Sequence, residues 1–266
     1  MTLTRRLYVT MALVALFAFA AGAVATVAEL TSAGPPVDEE VACKGPRGKT
    51  VEIATAKLII EFNSTDDDIG VHGAFDDHGW SELCVYDPSG KQVLATKPQG
   101  QLKDLTMAGI FFESREPPAA EYSFADLKAR FPEGKYTVRA TTFEGKSLTG
   151  AATFTHDVPG APAISSPADG AVVSTDGFVV EWADVTKTVD GRPVTITGYE
   201  VIITKEEHTD AHGFSKPTYD VHVGPGLNSL AVPAEFFEPG TVYELEVLAL
   251  EESGNQTISV SFFETE

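Results

Sequence analysis

From Cys43 onward, apolar residues recur at every second position in short runs, and glycine, proline or aspartate closes each run. Side chains alternate faces along an extended chain, so such runs describe strands with one buried face. In Lys57–Asn63, Leu58, Ile60 and Phe62 point one way, and Ile59 and Glu61 the other. In Trp80–Tyr86, Leu83 and Val85 oppose Cys84 and Tyr86. Asp87-Pro88-Ser89-Gly90 is a turn, and Lys91–Thr96 returns as the second arm of a hairpin. A further hairpin pairs Lys135–Thr142, carrying Tyr136, Val138 and Ala140, with Leu148–Thr155 across Phe143-Glu144-Gly145-Lys146. One short helix interrupts the pattern: Ser123 and Asp126 make a capping-box start, Leu127 and Phe131 face the core, and Pro132 and Gly134 end it. No longer helix is written after the N-terminal segment. The fold class expected is all-β.

The N-terminus reads as an export signal. Arg5 and Arg6 precede an apolar run from Leu7 to Ala21, and small-residue pairs follow at Ala18/Ala20, Ala21/Ala23 and Ala23/Ala25. Its length also permits a retained anchor helix. Thr4-Arg5-Arg6-Leu7 resembles a twin-arginine signal, leaving two export routes open. Residues 1–28 are therefore expected as a signal peptide and 29–42 as a flexible leader. No second apolar stretch approaches the ~18 residues of a membrane span.

Removing the signal takes the formal charge from -20 to -22, since it carries two arginines and no acid. That balance argues against nucleic-acid binding and against adhesion to anionic lipid. With 43% hydrophobic residues the chain has material for a core, and the length suits one or two domains. In an oxidising compartment, periplasmic or extracellular, Cys43 and Cys84 are expected to form a disulfide, worth roughly 3–4 kcal/mol on the chain-entropy model. Asp38, Glu39 and Glu40 disfavour lipid modification at Cys43, and no basic residue together with histidine marks either cysteine as catalytic.

Pro159-Gly160-Ala161-Pro162 divides the chain into a sandwich at 43–158, a stiff hinge at 159–163 and a second domain at 164–266. In the second, Phe178, Val180 and Trp182 line one strand face, and Tyr199, Val201 and Ile203 another. The block Pro239-Gly240-Thr241-Val242-Tyr243-Glu244-Leu245-Glu246-Val247-Leu248-Ala249 follows. It resembles the E–F corner and F strand of a fibronectin type III domain, with Tyr243 at the tyrosine corner. Trp182 matches that family's core tryptophan. The resemblance spans about residues 162–266, apart from a long insertion after Ile203. It implies a β-sandwich without a disulfide; no Arg-Gly-Asp tripeptide is present, so integrin binding is not implied. The whole chain resembles secreted bacterial proteins that carry such a module. The first sandwich is expected to be Ig-like or jelly-roll-like.

Chemistry concentrates between the first two strands. Asp66, Asp67, Asp68, Asp76 and Asp77, with His72 and His78, lie within a short stretch also containing Gly70 and Gly79. Read as a loop at the sandwich end, it offers Ca2+ several oxygen ligands, without EF-hand spacing. A solvated acidic loop and a transition-metal site through the two histidines are the alternatives. A second polar stretch contains His208 and His212, with Asp220 and His222 beyond; it lacks the glutamate of a zinc protease and reads as a hairpin loop. No nucleophile elbow or phosphate loop occurs. Glu206/Glu207 and Glu251/Glu252 are the adjacent acids a glycosidase reading would invoke, though that chemistry needs two carboxyls ~5–9.5 Å apart across a cleft. Phe111-Phe112, Phe236-Phe237 and Phe262-Phe263 each send one ring outward if they lie in strands. Asn63 and Asn255 fit the glycosylation pattern.

The function these features point to is non-catalytic, adhesion-type binding of a protein or glycan partner outside the cytoplasm, made calcium-dependent by the aspartates. The alternatives are a carbohydrate-active enzyme or its accessory module, which would show convergent carboxylates with raised pKa in a cleft, and a structural envelope spacer.

Overall fold

A computed structural model describes Cys43, residues 49–206, Lys216 and residues 218–266. The expected signal peptide and leader, and His208 and His212, lie outside the described residues.

The first half runs β1 (Thr50–Glu52), β2 (Thr55–Asn63), β3 (Asp68–Tyr86), β4 (Gln92–Thr96), α1 (Leu102–Leu105), β5 (Met107–Glu113), α2 (Phe124–Arg130), β6 (Gly134–Thr142) and β7 (Ser147–Phe154). The second runs β8 (Ile164–Ser166), β9 (Ala171–Val173), β10 (Phe178–Trp182), β11 (Ile196–Lys205), β12 (Thr218–Val223), β13 (Ser229–Val232), a 3-10 turn (Ala234–Phe236), β14 (Val242–Glu251) and β15 (Gln256–Thr265). The all-β expectation holds, with α1 as a helix the sequence reading did not anticipate.

The second half is a two-layer sandwich. One layer is β13-β10-β8; the other contains β12-β11-β14-β15, with β9 parallel to the end of β15. Trp182, Tyr199, Val201, Tyr243, Leu245 and Phe263 fill the space between them. The Glu238 N–H donates to the Tyr243 hydroxyl at 2.9 Å, closing the tyrosine corner. These features define the class: a β-sandwich with a fibronectin type III-like second half.

In the first half, Cys43 and Cys84 are disulfide-bonded, with 5.9 Å between their Cα atoms. Ser123 caps α2 as expected: its hydroxyl accepts from the Asp126 N–H, and the Asp126 carboxylate accepts from the Ser123 N–H. The main departure is β3. The stretch read as an acidic loop followed by a strand is one 19-residue strand. Its first part pairs with β2 and β5 and its last part with β6 and β4. The exchange of partners falls between Asp76 and Trp80, where Gly79 takes a φ of 148°. Ile69, Val71 and Phe75 are buried at period-two spacing, a pattern hidden in the sequence by the intervening glycines.

The halves share a pattern. In the first, β1 lies parallel to β7, followed by β6, the end of β3, and β4. In the second, β9 lies parallel to β15, followed by β14, β11 and β12. The first half also has a tyrosine corner: the Tyr136 hydroxyl donates to the Pro132 carbonyl at 3.1 Å. Of the two alternatives for this half, the pattern resembles the Ig-like one.

The halves are joined by more than the stiff segment at 159–163. Gln256, Thr257 and Ile258 of β15 pair in parallel with Glu61, Phe62 and Asn63 of β2, making one sheet across both. Buried Asn255 secures the junction. Its side-chain oxygen accepts from the Ile60 N–H at 2.8 Å, and its amide donates to Thr155. Arg192 reaches Asp157 across the same boundary at 2.5 Å. The Pro159–Ala163 segment is fastened to the second half: the Pro159 carbonyl accepts from the Thr257 hydroxyl, and the Gly160 N–H donates to the Lys187 carbonyl.

Candidate functional site: an acidic trough across the shared sheet

The shared sheet has an outer face, opposite both cores. Its strand register brings same-face side chains of six strands together. Glu61 lies beside Gln256 between β2 and β15, and His72 beside Glu113 between β3 and β5. Beyond β15, Glu246 lies opposite Ile202, and Glu200 opposite both Leu248 and His222. The face forms a concave trough of about 450 Å³ walled by Glu61, Glu113, Glu116, Glu200 and Glu246. Lys57 is the only lysine or arginine in that wall. A second depression of about 580 Å³ shares Lys57, Ile59, Glu200 and Gln256 with it, so the concavity continues along the seam.

Burial and mutual repulsion oppose charging these carboxyls. Burial, then the charges of Glu244, Glu61 and Glu200, push Glu246 up to about 8. Burial is the main cause at Glu61, Glu200 and Glu244, each raised above the ordinary glutamate range. Burial and the neighbouring Glu116 carry Asp68 to about 6. His72 sits between two carboxylates, Nε2 at 2.8 Å from Glu116 and Nδ1 at 3.7 Å from Glu61. Burial works against its charge, but the Glu116 hydrogen bond and the nearby glutamates outweigh it, and the imidazole pKa rises. The exposed Phe111 ring meets the His72 ring edge-on at 5.9 Å.

The five aspartates named from the sequence do not converge. Asp66 and Asp67 occupy the β2–β3 turn, organised by Asn63, whose side-chain oxygen accepts from the Thr65 and Asp66 N–H groups. Asp68 begins β3 opposite Asn63, whereas Asp76 lies opposite Thr55 at the far end of the ladder. Asp76 is eight steps along the strand from Asp68, about 26 Å, beyond the reach of one ion. Asp77 instead accepts from the Ala54 N–H at 2.9 Å. The single-cation expectation for Asp66, Asp67, Asp68, Asp76 and Asp77 is corrected on that geometry.

The other candidates fall as follows. Glu251 is buried and accepts from the Ser253 and Asn255 N–H groups, a loop-bracing role. Asn255 is buried and fully engaged, which removes it as a glycan acceptor in the folded chain. His222 faces outward on β12, 3.3 Å from Glu200. Phe111 and Phe262 are exposed, while Phe263 is buried. Sequence reading missed the trough glutamates because they come from four different strands and the segment after β5, and meet only through the register. The available signal was the glutamate at alternate positions 244 and 246 of a strand otherwise apolar on its other face.

No protein-family profile matches the chain, and no curated protein is similar to it. Among solved structures, the FN1–FN3 domains of chicken CNTN1 are similar, with 12% identity, a TM-score of 0.31, and 81% of this chain and 68% of that one covered. No helix among the described residues is long and apolar enough to cross a membrane.

Proposed function

We propose that this chain is an exported, non-catalytic binding protein whose ligand surface is the acidic trough, and that its partner presents a lysine- or arginine-rich protein segment. One observation carries the reading: five glutamates from both halves wall one concave face against a single lysine. Buried glutamates are costly to ionise alone, and an incoming cation lowers that cost. The trough also crosses a hydrogen-bonded seam, so its two walls are held at a set spacing before the partner arrives.

Fluorescence anisotropy with a labelled Lys/Arg-rich peptide tests this. Binding is expected, weakening as salt rises, and falling about tenfold or more in Glu113→Gln/Glu200→Gln. Absence of binding, or equal affinity in that variant, overturns the proposal. The carbohydrate-active reading draws support from the raised carboxyls Glu246 and Glu61; hydrolysis of a glycan panel, abolished by Glu246→Gln, would replace the binding reading.

A further inference from the structure

The tightest cluster in the trough lies over one glycine. On β3, Asp68, Gly70 and His72 share a face at two-residue intervals, about 6.6 Å apart. Glu61 stands directly opposite Gly70 on β2. Gly70 has no side chain to fill the space among these three, and Glu116 occupies it from above. A Cβ on residue 70 would lie only 2.5 Å from Glu116 Oε1. The overhang is pinned: the Val71 N–H donates to the Ser114 hydroxyl at 2.9 Å, and the Ser114 N–H donates to the Val71 carbonyl at 3.0 Å. Glu116 is thereby delivered onto His72.

We infer that Glu61, His72 and Glu116, with Asp68 beside them, form a binding site for a divalent transition metal of the Zn2+ class. Three observations support it independently of any ligand for the trough as a whole. One ligand atom from each of Glu61, His72 and Glu116 lies within 4.8 Å of the others; a metal would draw them in to the ~2.0–2.1 Å bonds zinc makes to nitrogen and its similar bonds to carboxylate oxygen. Asp68 Oδ1 is fully buried and has no hydrogen-bond partner, leaving a lone-pair donor aimed at no proton. Glu61 and Glu116 flank the imidazole on its two sides, and a dication that takes the place of the imidazole's proton balances both carboxylates. The imidazole donor selects the metal class, since Ca2+ and Mg2+ prefer all-oxygen sites and imidazole suits zinc and its neighbours. The edge-on contact of Phe111 with His72 fixes the ring plane and shields it from bulk water. This inference concerns the same trough as the proposed function but does not depend on a protein partner.

The test is titration of chelator-stripped protein with Zn2+ by calorimetry and with Co2+ by visible absorption. One saturable site with Kd of about 1 μM or tighter is expected, insensitive to excess Ca2+, with a Co2+ spectrum showing an imidazole ligand. His72→Gln and Glu116→Gln should each weaken it tenfold or more, while melting without metal like folded proteins. Gly70→Ala, which removes no ligand atom, should also weaken it by displacing Glu116. In wild-type protein, imidazole ¹⁵N resonances should show one responding histidine among the six in the chain, a readout independent of whether any variant folds. Absence of saturable binding, an unchanged affinity in folded His72→Gln, or a response from a different histidine overturns the inference. Peptide binding in EDTA separates the two proposals: retained with no zinc site, the trough reading stands and the metal site falls; lost while zinc binds, the reverse.

Discussion

The two halves carry the same strand sequence around their longest sheets and the same tyrosine corner, but they use their remaining strands differently. The second half closes its own sandwich with β8, β10 and β13. The first runs a single strand, β3, through two sets of partners and sends β2 out to pair with β15. A half that completes itself keeps its outer face for whatever its own side chains encode. A half that lends a strand creates a face that neither half possesses alone, and here that face is the acidic trough.

Four experiments break or sharpen this contrast. The largest effect is expected from reduction, or from Cys43→Ala/Cys84→Ala, which should cost about 3–4 kcal/mol. Calorimetry should show the loss in the first half. A seam that couples the halves predicts one transition moving down; independent halves predict two, with only one moved. Asn255→Ala attacks the seam. It leaves the buried Ile60 N–H without its acceptor and should cost about 1–3 kcal/mol; hydrogen exchange should speed at Ile60, while the Tyr243 corner stays protected. The tyrosine corners come next. Tyr243→Phe orphans an N–H donor and Tyr136→Phe only a carbonyl. Carbonyls tolerate loss of a partner better, so Tyr243→Phe should cost more in chemical denaturation, both lying near about 1–2 kcal/mol. The smallest effect concerns pH. The Glu246 carboxyl is raised to about 8 in the fold from 4.5, so the folded state holds a proton that the unfolded state releases between those values. Its contribution is present below the lower value and lost as pH rises through the upper. Melting temperature should fall between about pH 5 and pH 8.5. Glu246→Gln should flatten that slope and melt higher at the alkaline end.

The second half was legible because its signals are local. Alternation in 178–182 and 199–203, and the Pro-Gly preceding Tyr243, sit within a few residues of the contacts they specify. The first half was partly legible: both arms of its last hairpin, the helix cap and the disulfide pair were readable. The middle of β3 was not. Gly70 and Gly79 suggested a loop, whereas Gly70 relieves crowding against Glu116, as Gly73 does against Phe112, and Gly79 turns the strand between partners. Tyr136 follows Pro132-Glu133-Gly134 much as Tyr243 follows Pro239-Gly240, a parallel available in the sequence but not drawn from it. The site was least legible. Glu61 and Glu246 are 185 positions apart by their numbers, and only a parallel pairing between halves, which no local pattern announces, puts them on one surface.

That pairing also fixes an order of events. The β2 strand must wait for a partner 195 residues further along, as the separation of Glu61 and Gln256 shows. Contacts of such span form late, because loop closure must precede any gain from them. Until β15 arrives, β2 carries an open edge of unpaired N–H and C=O groups beside Ile59 and Phe62, the kind of edge that recruits stray strands. Its safeguard is already in place: Lys57 and Glu61 stand on that edge strand, and charged edge residues discourage misplaced pairing. The glutamate that later walls the trough thus protects the nascent chain first.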